Sequence, residues 1–237
     1  NLDHGFREIW CVVDDNSETS VLNESICSRF NAQYVYLPKK SYKGAACNIG
    51  VSLSKGKYVC FFDDDDIAHS EMISRYVKAY SNNQNVDIIS GFAAVFEHDK
   101  YITNKAVLPE YTSLALGGGL EVNLHINFFG KGTFIIKKEK FLDVGGYEVD
   151  YDKVPMVDYR FYIKSALSNL GIMIIPTIQY YYRKNSPRSL FYENLGVNNT
   201  QYLAKHSIQK IMEKKLGKDI GSAVSSMIWD ISLPLFK

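Results

Sequence analysis

The chain has 237 residues, of which 46% are hydrophobic and 22% are charged, and its formal net charge is +1. This composition is that of an ordinary globular protein, and the small net charge argues against nucleic acid as a dominant partner. No signal peptide and no apolar stretch of transmembrane length is visible, which argues against an integral membrane protein.

The four cysteines are widely spaced and form no Cys-x-x-Cys pair; they are Cys11, Cys27, Cys47 and Cys60. A free cysteine in an apolar run behaves as a small hydrophobic residue. We therefore expect all four to be reduced and the protein to be cytoplasmic.

The first half of the chain alternates apolar runs with helical patterns. Strands are predicted at residues 8–13, 34–37, 58–62 and 87–96, and helices at residues 20–30, with Ser20 as N-cap, 45–54 and 70–81. Residues 39–44 form a loop in this prediction. The alternation predicts an α/β fold of the Rossmann type with a central, mostly parallel mixed sheet flanked by helices. Ligands in such sheets bind beyond the carboxyl ends of the strands.

The second half begins with residues 97–129, which show no regular hydrophobic pattern. We interpret them as a long loop or a small insertion that covers one face of the domain. The pattern then predicts a strand at 134–136, a helix at 158–170 and short strands at 172–175 and 178–182. From residue 199 onward the chain is helical and amphipathic. We expect one domain over residues 1–192 and a C-terminal helical segment over residues 193–237.

Acidic residues follow two of the predicted strands. Asp14 and Asp15 follow the first, and the run from Asp63 to Asp66 follows the apolar strand at residues 58–62. Crowded carboxylates repel one another and must stay solvated or bind a cation. Oxygen ligands favour magnesium, manganese or calcium over zinc.

Each acidic motif also has a structural interpretation. The residues that follow the first strand, Asp14-Asp15-Asn16-Ser17, are typical of a turn. Taken alone, we interpret this motif as a turn. The structural alternative for the four aspartates is a solvated acidic turn. Against it, residues of like charge are usually dispersed along a chain or confined to tails. An EF-hand is disfavoured because the required glycine and later glutamate are absent.

The ordered set of motifs resembles the family 2 glycosyltransferases of the GT-A fold. The stretches EIWCVVDDNSETS and KGAACNIGVSLSKGKYVCFFDDDDI resemble the nucleotide-sugar half of that family, including its Asp-x-Asp-Asp motif. The stretches FFGKGTFIIKKEKFLDVGGYEVDYDKVPMVDYRFYIKSA and IQYYYRKNSPRS resemble the acceptor half and its closing Tyr-Arg segment. The match covers residues 8–189, with its elements in the family's order.

The resemblance assigns expected roles to five aspartates. Asp15 matches the position that reads the nucleotide base, Asp63 and Asp64 match positions near the ribose and the metal, and Asp65 matches the metal ligand on the diphosphate. Asp158 matches the catalytic base, although an aspartate that opens a helix is also a favoured N-cap. Asp66 is expected to be structural.

Four departures from the family pattern stand out. Cys47 replaces a usual arginine, Val157 replaces the glutamate of a Glu-Asp pair, and Asn185 replaces a frequent histidine. The family's first strand and its Pro-Thr-x-Asn turn do not precede Asn1. These departures leave a catalytically inactive nucleotide- or glycan-binding module as an alternative.

The resemblance implies an inverting transferase of the hexosyl or N-acetylhexosaminyl class that serves bacterial surface polysaccharide or glycoconjugate synthesis. Its donor would be a nucleoside diphosphate sugar, most simply a UDP-sugar, with Mn²⁺ or Mg²⁺ as cofactor and a saccharide or lipid-linked acceptor. Tyr101 and Tyr111 are candidates for stacking on sugar rings. A nucleotidyltransferase is a second alternative, but no glycine-rich basic loop is visible near the start of the chain.

The basic amphipathic tail has two interpretations. Such a helix can lie on the inner face of the cell membrane, or it can pack on its own domain or on a second subunit. Packing is the favoured interpretation.

Overall fold

The computed structural model describes residues 8–97, 109–149, 156–184 and 196–232. In these ranges the chain forms eight strands and eight helices. In chain order they are β1 (Cys11–Asp14), α1 (Ser20–Arg29), β2 (Gln33–Tyr36), α2 (Tyr42–Leu53), β3 (Tyr58–Phe61), β4 (Ile67–Ala68), α3 (Met72–Asn82), β5 (Ile88–Phe96), β6 (Tyr111–Ser113), α4 (Leu120–Asn123), β7 (Phe134–Lys137), α5 (Lys138–Asp143), α6 (Val157–Leu167), β8 (Ile172–Arg183), α7 (Gly196–Leu216) and α8 (Lys218–Ser232).

The strands form two sheets. β1 and β2 pair in parallel, and the other six strands form a mixed sheet in the order β3-β7-β5-β8-β4, with β6 beside β5. The mixed α/β architecture with C-terminal helices is confirmed. Its pairing is less parallel than predicted: in the described part of the mixed sheet only β5 and β8 pair in parallel. The alternating pattern missed this because β4, β6 and β7 are short strands that run against their neighbours.

β1 and β3 each have one edge without a partner strand among the described residues, and both strands line the same cleft. The carboxyl ends of these two strands carry Asp14 and Asp63. The cleft therefore receives the strand-end carboxylates that the sequence placed at one edge of the fold.

The start of α2 differs from the prediction. The helix begins at Tyr42 rather than at residue 45, so the predicted loop at 39–44 is shorter. The cause is a distant side chain: Asp15 accepts the backbone N–H groups of Ser41 and Tyr42 at 2.6 and 2.7 Å. Satisfying these otherwise unpaired donors lets the helix begin earlier than its local sequence indicates.

Two further boundaries were predicted wrongly. The N-cap of α1 is Thr19 and not Ser20, and its side chain makes no capping hydrogen bond. The two short strands predicted at 172–175 and 178–182 are one strand, β8, in which the register against β5 jumps from Ile175 to Ile178. Pro176 lies in this bulge, where its missing N–H costs no ladder hydrogen bond.

The main core lies between the mixed sheet, α2, α6 and α7. Its aromatic members pack at ring-centroid distances of about 5 Å; they include Phe61, Phe134, Phe141, Tyr147, Phe161 and Tyr162. Burial of each such side chain contributes about 1.5–3 kcal/mol. Ile208 and Met212 of α7 belong to the same cluster, so the apolar face of the C-terminal helix packs on the domain, as favoured. The predicted boundary at residues 192 and 193 lies outside the described residues.

Two general expectations can be compared with this fold. All four cysteines are free, as predicted. No helix in the described ranges is both long enough and apolar enough to span a bilayer.

Asn48 connects α2 to the Gly145-Gly146 turn. Its Nδ2 donates to the carbonyl of Tyr147 at 3.0 Å, and its Oδ1 accepts the Tyr147 N–H at 2.9 Å. Lys164 donates to the Gly146 carbonyl of the same turn at 2.6 Å. The start of the chain, through α2, is thus joined to the segment after α5 by a paired amide contact.

Asp14 anchors the first sheet. Its side chain is 6% exposed and accepts hydrogen bonds from Ser17, Asn23 and Tyr34 at 2.7–2.8 Å. Burial acts to raise the pKa of Asp14, but the hydrogen bonds from Asn23, Tyr34 and Ser17 outweigh it and lower the pKa to about 2. The ionised carboxylate therefore holds the end of β1, α1 and β2 together.

We expect Asn48→Ala to lower the free energy of unfolding by about 2 kcal/mol, because it leaves the Tyr147 N–H and C=O without partners. Urea denaturation measures this change. Asn82→Ala, at the exposed end of α3, is the matched control and should stay within about 0.5 kcal/mol of the parent. Equal stability of the two variants would show that the Asn48 contact is dispensable.

We expect Asp14→Ala to lower the free energy of unfolding by about 2–3 kcal/mol at pH 7. Because the folded pKa lies below the unfolded value, this stabilisation is present above about pH 4 and is lost as the pH falls towards 2. The difference between parent and variant should therefore shrink in urea titrations below pH 4. The exposed Glu24→Ala serves as control, and a pH-independent difference for Asp14→Ala would refute the assignment.

Candidate functional site

One cleft of about 2050 Å³ brings the sequence-predicted residues together. Its lining includes all five predicted site residues: Asp15, Asp63, Asp64, Asp65 and Asp158. They come from the end of β1, the end of β3 and the first turn of α6. Three separate segments thus contribute carboxylates to one cavity.

The carboxylate of Asp63 forms an ion pair with a lysine of the protein itself. The ammonium of Lys43, in the first turn of α2, lies 2.6 Å from both carboxylate oxygens of Asp63. Burial acts to lower the pKa of Lys43, but the carboxylates of Asp63 and Asp158 outweigh it and the pKa is raised. A Cβ at Gly132 would lie 2.9 Å from this ammonium and 3.3 Å from the Asp63 carboxylate, so a larger residue there would press on the ion pair.

The remaining three aspartates have different environments. Asp64 is exposed, whereas Asp65 is half-buried and its backbone carbonyl accepts the Nε of Arg183 at 3.0 Å. Asp66 accepts the backbone N–H of Arg183 at 3.0 Å. Burial, reinforced by Asp63 and Asp65, raises the pKa of Asp66 to about 8, so this carboxyl is mostly protonated at neutral pH. Asp66 is therefore hydrogen-bonded to β8, a contact of the kind that a structural role requires.

Asp15 lines the cleft, but both of its carboxylate oxygens accept backbone N–H groups at the start of α2. A carboxylate oxygen has two lone pairs, so Asp15 retains acceptor capacity towards the cleft. The contacts that Asp15 makes in this structure anchor the start of α2. Its role towards a nucleotide base stays a prediction.

Asp158 is half-buried in the first turn of α6 and faces two lysines at longer range, Lys43 and Lys131. Its alternative interpretation was an N-cap. The N-cap of α6 is Met156, in a left-handed conformation with φ of 68°, and no side chain caps the helix. Asp158 is therefore not the cap. Residues held in this strained backbone region cluster at functional sites.

Lys131 lies in the loop before β7 and lines the cleft. Its ammonium lies 4.4 Å from the centroid of the Tyr182 ring, a cation–π contact. Burial lowers the pKa of Lys131, while Asp158 and Asp66 act in the opposite direction. The cleft thus contains basic as well as acidic side chains.

The described residues do not build a metal cage. They contain no group of three His, Cys, Asp or Glu side chains that are close enough to hold a metal ion together. Asp63 is engaged by Lys43, whereas Asp65 is half-buried and lines the cleft. One carboxylate suffices for Mg²⁺ or Mn²⁺ where substrate phosphates and waters complete the shell. The residues fit a metal of that kind.

Several parts of the site were missed in the sequence. Lys43 and Lys131 were not predicted, although each lies in a quoted motif, Lys-Gly-Ala-Ala and Gly-Lys-Gly. Of the two aromatic candidates, Tyr111 lines the cleft with 49% of its side chain exposed, whereas Tyr101 lies outside the described residues. Asn185 lies outside them as well.

Comparison with known proteins supports the resemblance. The chain is 28% identical over 158 residues to an uncharacterized glycosyltransferase of Haemophilus influenzae, which covers 65% of the chain and 50% of that protein. It is 27% identical over 92 residues to an uncharacterized glycosyltransferase of Rickettsia felis, which covers 38% of the chain and 15% of that protein. The chain therefore spans at most about half the length of these curated relatives.

The fold also matches a solved structure. Residues 1–349 of S. aureus TarS, crystallised in complex with UDP-GlcNAc, superpose with a TM-score of 0.63 at 17% identity. The match covers 86% of the chain and 57% of TarS. At this identity the likeness shows a shared GT-A-type fold.

The family model described as glycosyl transferase family 2 matches residues 4–145, which is more than half of the chain. This range contains β1 to β7 and the aspartates at the ends of β1 and β3. The protein therefore belongs to glycosyl transferase family 2.

Proposed function

We propose that this protein transfers a sugar, with inversion, from a nucleoside diphosphate sugar to an acceptor hydroxyl. The observation that carries the proposal is the convergence of the strand-end aspartates and the Asp158 carboxylate on one cleft. A UDP-sugar is the simplest donor, since TarS was crystallised with UDP-GlcNAc. A hexose or an N-acetylhexosamine is the expected sugar, and a surface polysaccharide or glycoconjugate the expected product.

Asp158 is the proposed general base. Among the described residues none makes a hydrogen bond or ion pair with its carboxylate, so the carboxylate is available to an acceptor hydroxyl. It would accept the hydroxyl proton as the oxygen attacks the anomeric carbon from the face opposite the diphosphate. The half-buried site holds the base at a fixed position relative to the donor.

Asp65 is the proposed metal ligand, with the donor diphosphate and water completing the shell. When bound, Mn²⁺ or Mg²⁺ supplies positive charge that offsets the charge on the departing diphosphate. Asp63 and Asp64 border the ribose and the metal in this proposal, and Lys43 holds Asp63 in place. Asp15 remains the proposed base-reading residue through its remaining lone pairs.

Localisation at the inner face of a membrane stays a prediction. Lys214 and Lys215 on α7 are exposed, whereas Ile208, Ile211 and Met212 of that helix are buried in the domain. Contact with a membrane would therefore be peripheral and electrostatic.

The first prediction concerns donor binding. Calorimetric titration with UDP should show binding that strengthens when Mn²⁺ is added, and Asp65→Ala should abolish this metal dependence while binding in the absence of metal persists. Asp143→Asn, an exposed aspartate on α5, is the control and should behave as the parent. Absence of metal-dependent UDP binding to the parent protein would overturn the donor site.

The second prediction concerns the base. Asp158→Asn should lower turnover by at least about a hundredfold and leave UDP affinity nearly unchanged, because the amide cannot accept the proton. Turnover is measured as UDP released from a panel of UDP-hexoses and UDP-N-acetylhexosamines with simple saccharide acceptors.

Asp219→Asn is the matched control for this variant. Asp219 occupies the second position of α8, as Asp158 does in α6, and is exposed to solvent. Full activity of Asp158→Asn would refute the base. A parent protein that binds UDP but turns over no donor would favour the inactive binding module.

A further inference from the structure

We propose that Lys131 binds the distal phosphate of the donor's diphosphate and offsets its negative charge as the nucleoside diphosphate departs. The proposal rests on the proposed function and adds a substrate-contacting residue to it. The resemblance assigned no role to this position.

The backbone around Lys131 is fixed by its neighbours. Gly130 adopts a φ of +124°, a conformation open to glycine, and its carbonyl accepts the Nδ2 of Asn127 at 2.6 Å. The carbonyl of Lys131 accepts the hydroxyl of the buried Tyr162 at 3.3 Å. Gly132 lies against the Lys43–Asp63 pair. The loop therefore presents the Lys131 side chain at a set position in the cleft.

The Lys131 side chain is held in position, but no described carboxylate is close enough to neutralise its charge. The Tyr182 ring, 4.4 Å from the ammonium, orients it through a cation–π contact. In the described part of the chain no carboxylate lies within ion-pair distance of this ammonium, and Asp158 and Asp66 act on it only through space. A largely buried cation without an anion is costly, so the site favours an anionic ligand.

Two other lysines that line the cleft are already paired, and one of them is Lys184, which lies 3.5 Å from Glu110. Lys43 is bound by both oxygens of Asp63, so its charge is already paired. A diphosphate in the cleft would supply an anion to Lys131, and a charge-assisted hydrogen bond would form.

If Lys131 binds the distal phosphate, the loss of affinity on its substitution depends on how many phosphates the ligand carries. We expect Lys131→Met to weaken UDP binding by roughly tenfold to a hundredfold, the usual range for a charge-assisted hydrogen bond. UMP, which lacks the distal phosphate, should lose less, and uridine should bind as it does to the parent. Titration calorimetry with the three ligands measures these differences. Lys78→Met, an exposed lysine on α3 outside the cleft, is the matched control.

Lys131→Arg keeps the charge and should recover most of the UDP affinity, which a merely structural role would not predict. A second measurement needs no variant: labelling of Lys131 by an amine-reactive ester, followed by mass spectrometry, should slow with UDP and not with uridine. This readout applies even where Lys131→Met fails to fold.

Different results overturn different claims. Equal weakening of UDP and uridine, or no weakening at all, overturns the contact between Lys131 and the phosphate and leaves the donor site intact. A parent protein that binds none of UDP, GDP, ADP and CDP overturns the proposed function and the Lys131 contact with it.

Discussion

The ion pair between Lys43 and Asp63 is the contact on which the arrangement of the cleft depends. It ties the first turn of α2 to the end of β3 through both carboxylate oxygens. The same helix is bound to the end of β1 by Asp15 and to the turn before Tyr147 by Asn48. Because β1 and β3 belong to different sheets, α2 is the element that keeps their carboxyl ends at one cavity. Loss of the pair would leave a half-buried carboxylate without its cation and free the helix start.

The four consecutive aspartates have different environments, which limits the repulsion among their carboxylates. Asp63 has a lysine, Asp64 has solvent, and Asp66 accepts the Arg183 N–H and is mostly protonated because burial raises its pKa to about 8. Repulsion is thereby reduced at three of the four positions. Asp65 is half-buried and lines the cleft, and it is the aspartate at which we propose that the metal binds.

Much of the fold and the composition of the site follow from local sequence. Apolar runs that end in aspartates predicted β1 and β3 and the acidic residues that follow them, whereas Asp158 was assigned only by the family resemblance. What local sequence does not contain is the partner of each group. The start of α2 depends on Asp15, 26 residues before Ser41, and the charge of Asp63 on a lysine 20 residues earlier. The antiparallel insertion of β7 and the pairing of Lys131 with Tyr182 likewise depend on the assembled sheet.

The departure from the family at Val157 has a structural reason in this chain. Val157 is 7% exposed and belongs to the main core cluster, so a glutamate at this position would place a carboxylate among apolar side chains. Its neighbour Asp158 turns towards the cleft, while the helix begins at a strained Met156 without a side-chain cap. Asp158 lies inside the first turn, where a carboxylate interacts favourably with the helix dipole, and it also lines a cavity with two lysines nearby. The backbone strain is at Met156, two residues before the position where the family resemblance places the base, which is the pattern expected of a functional site.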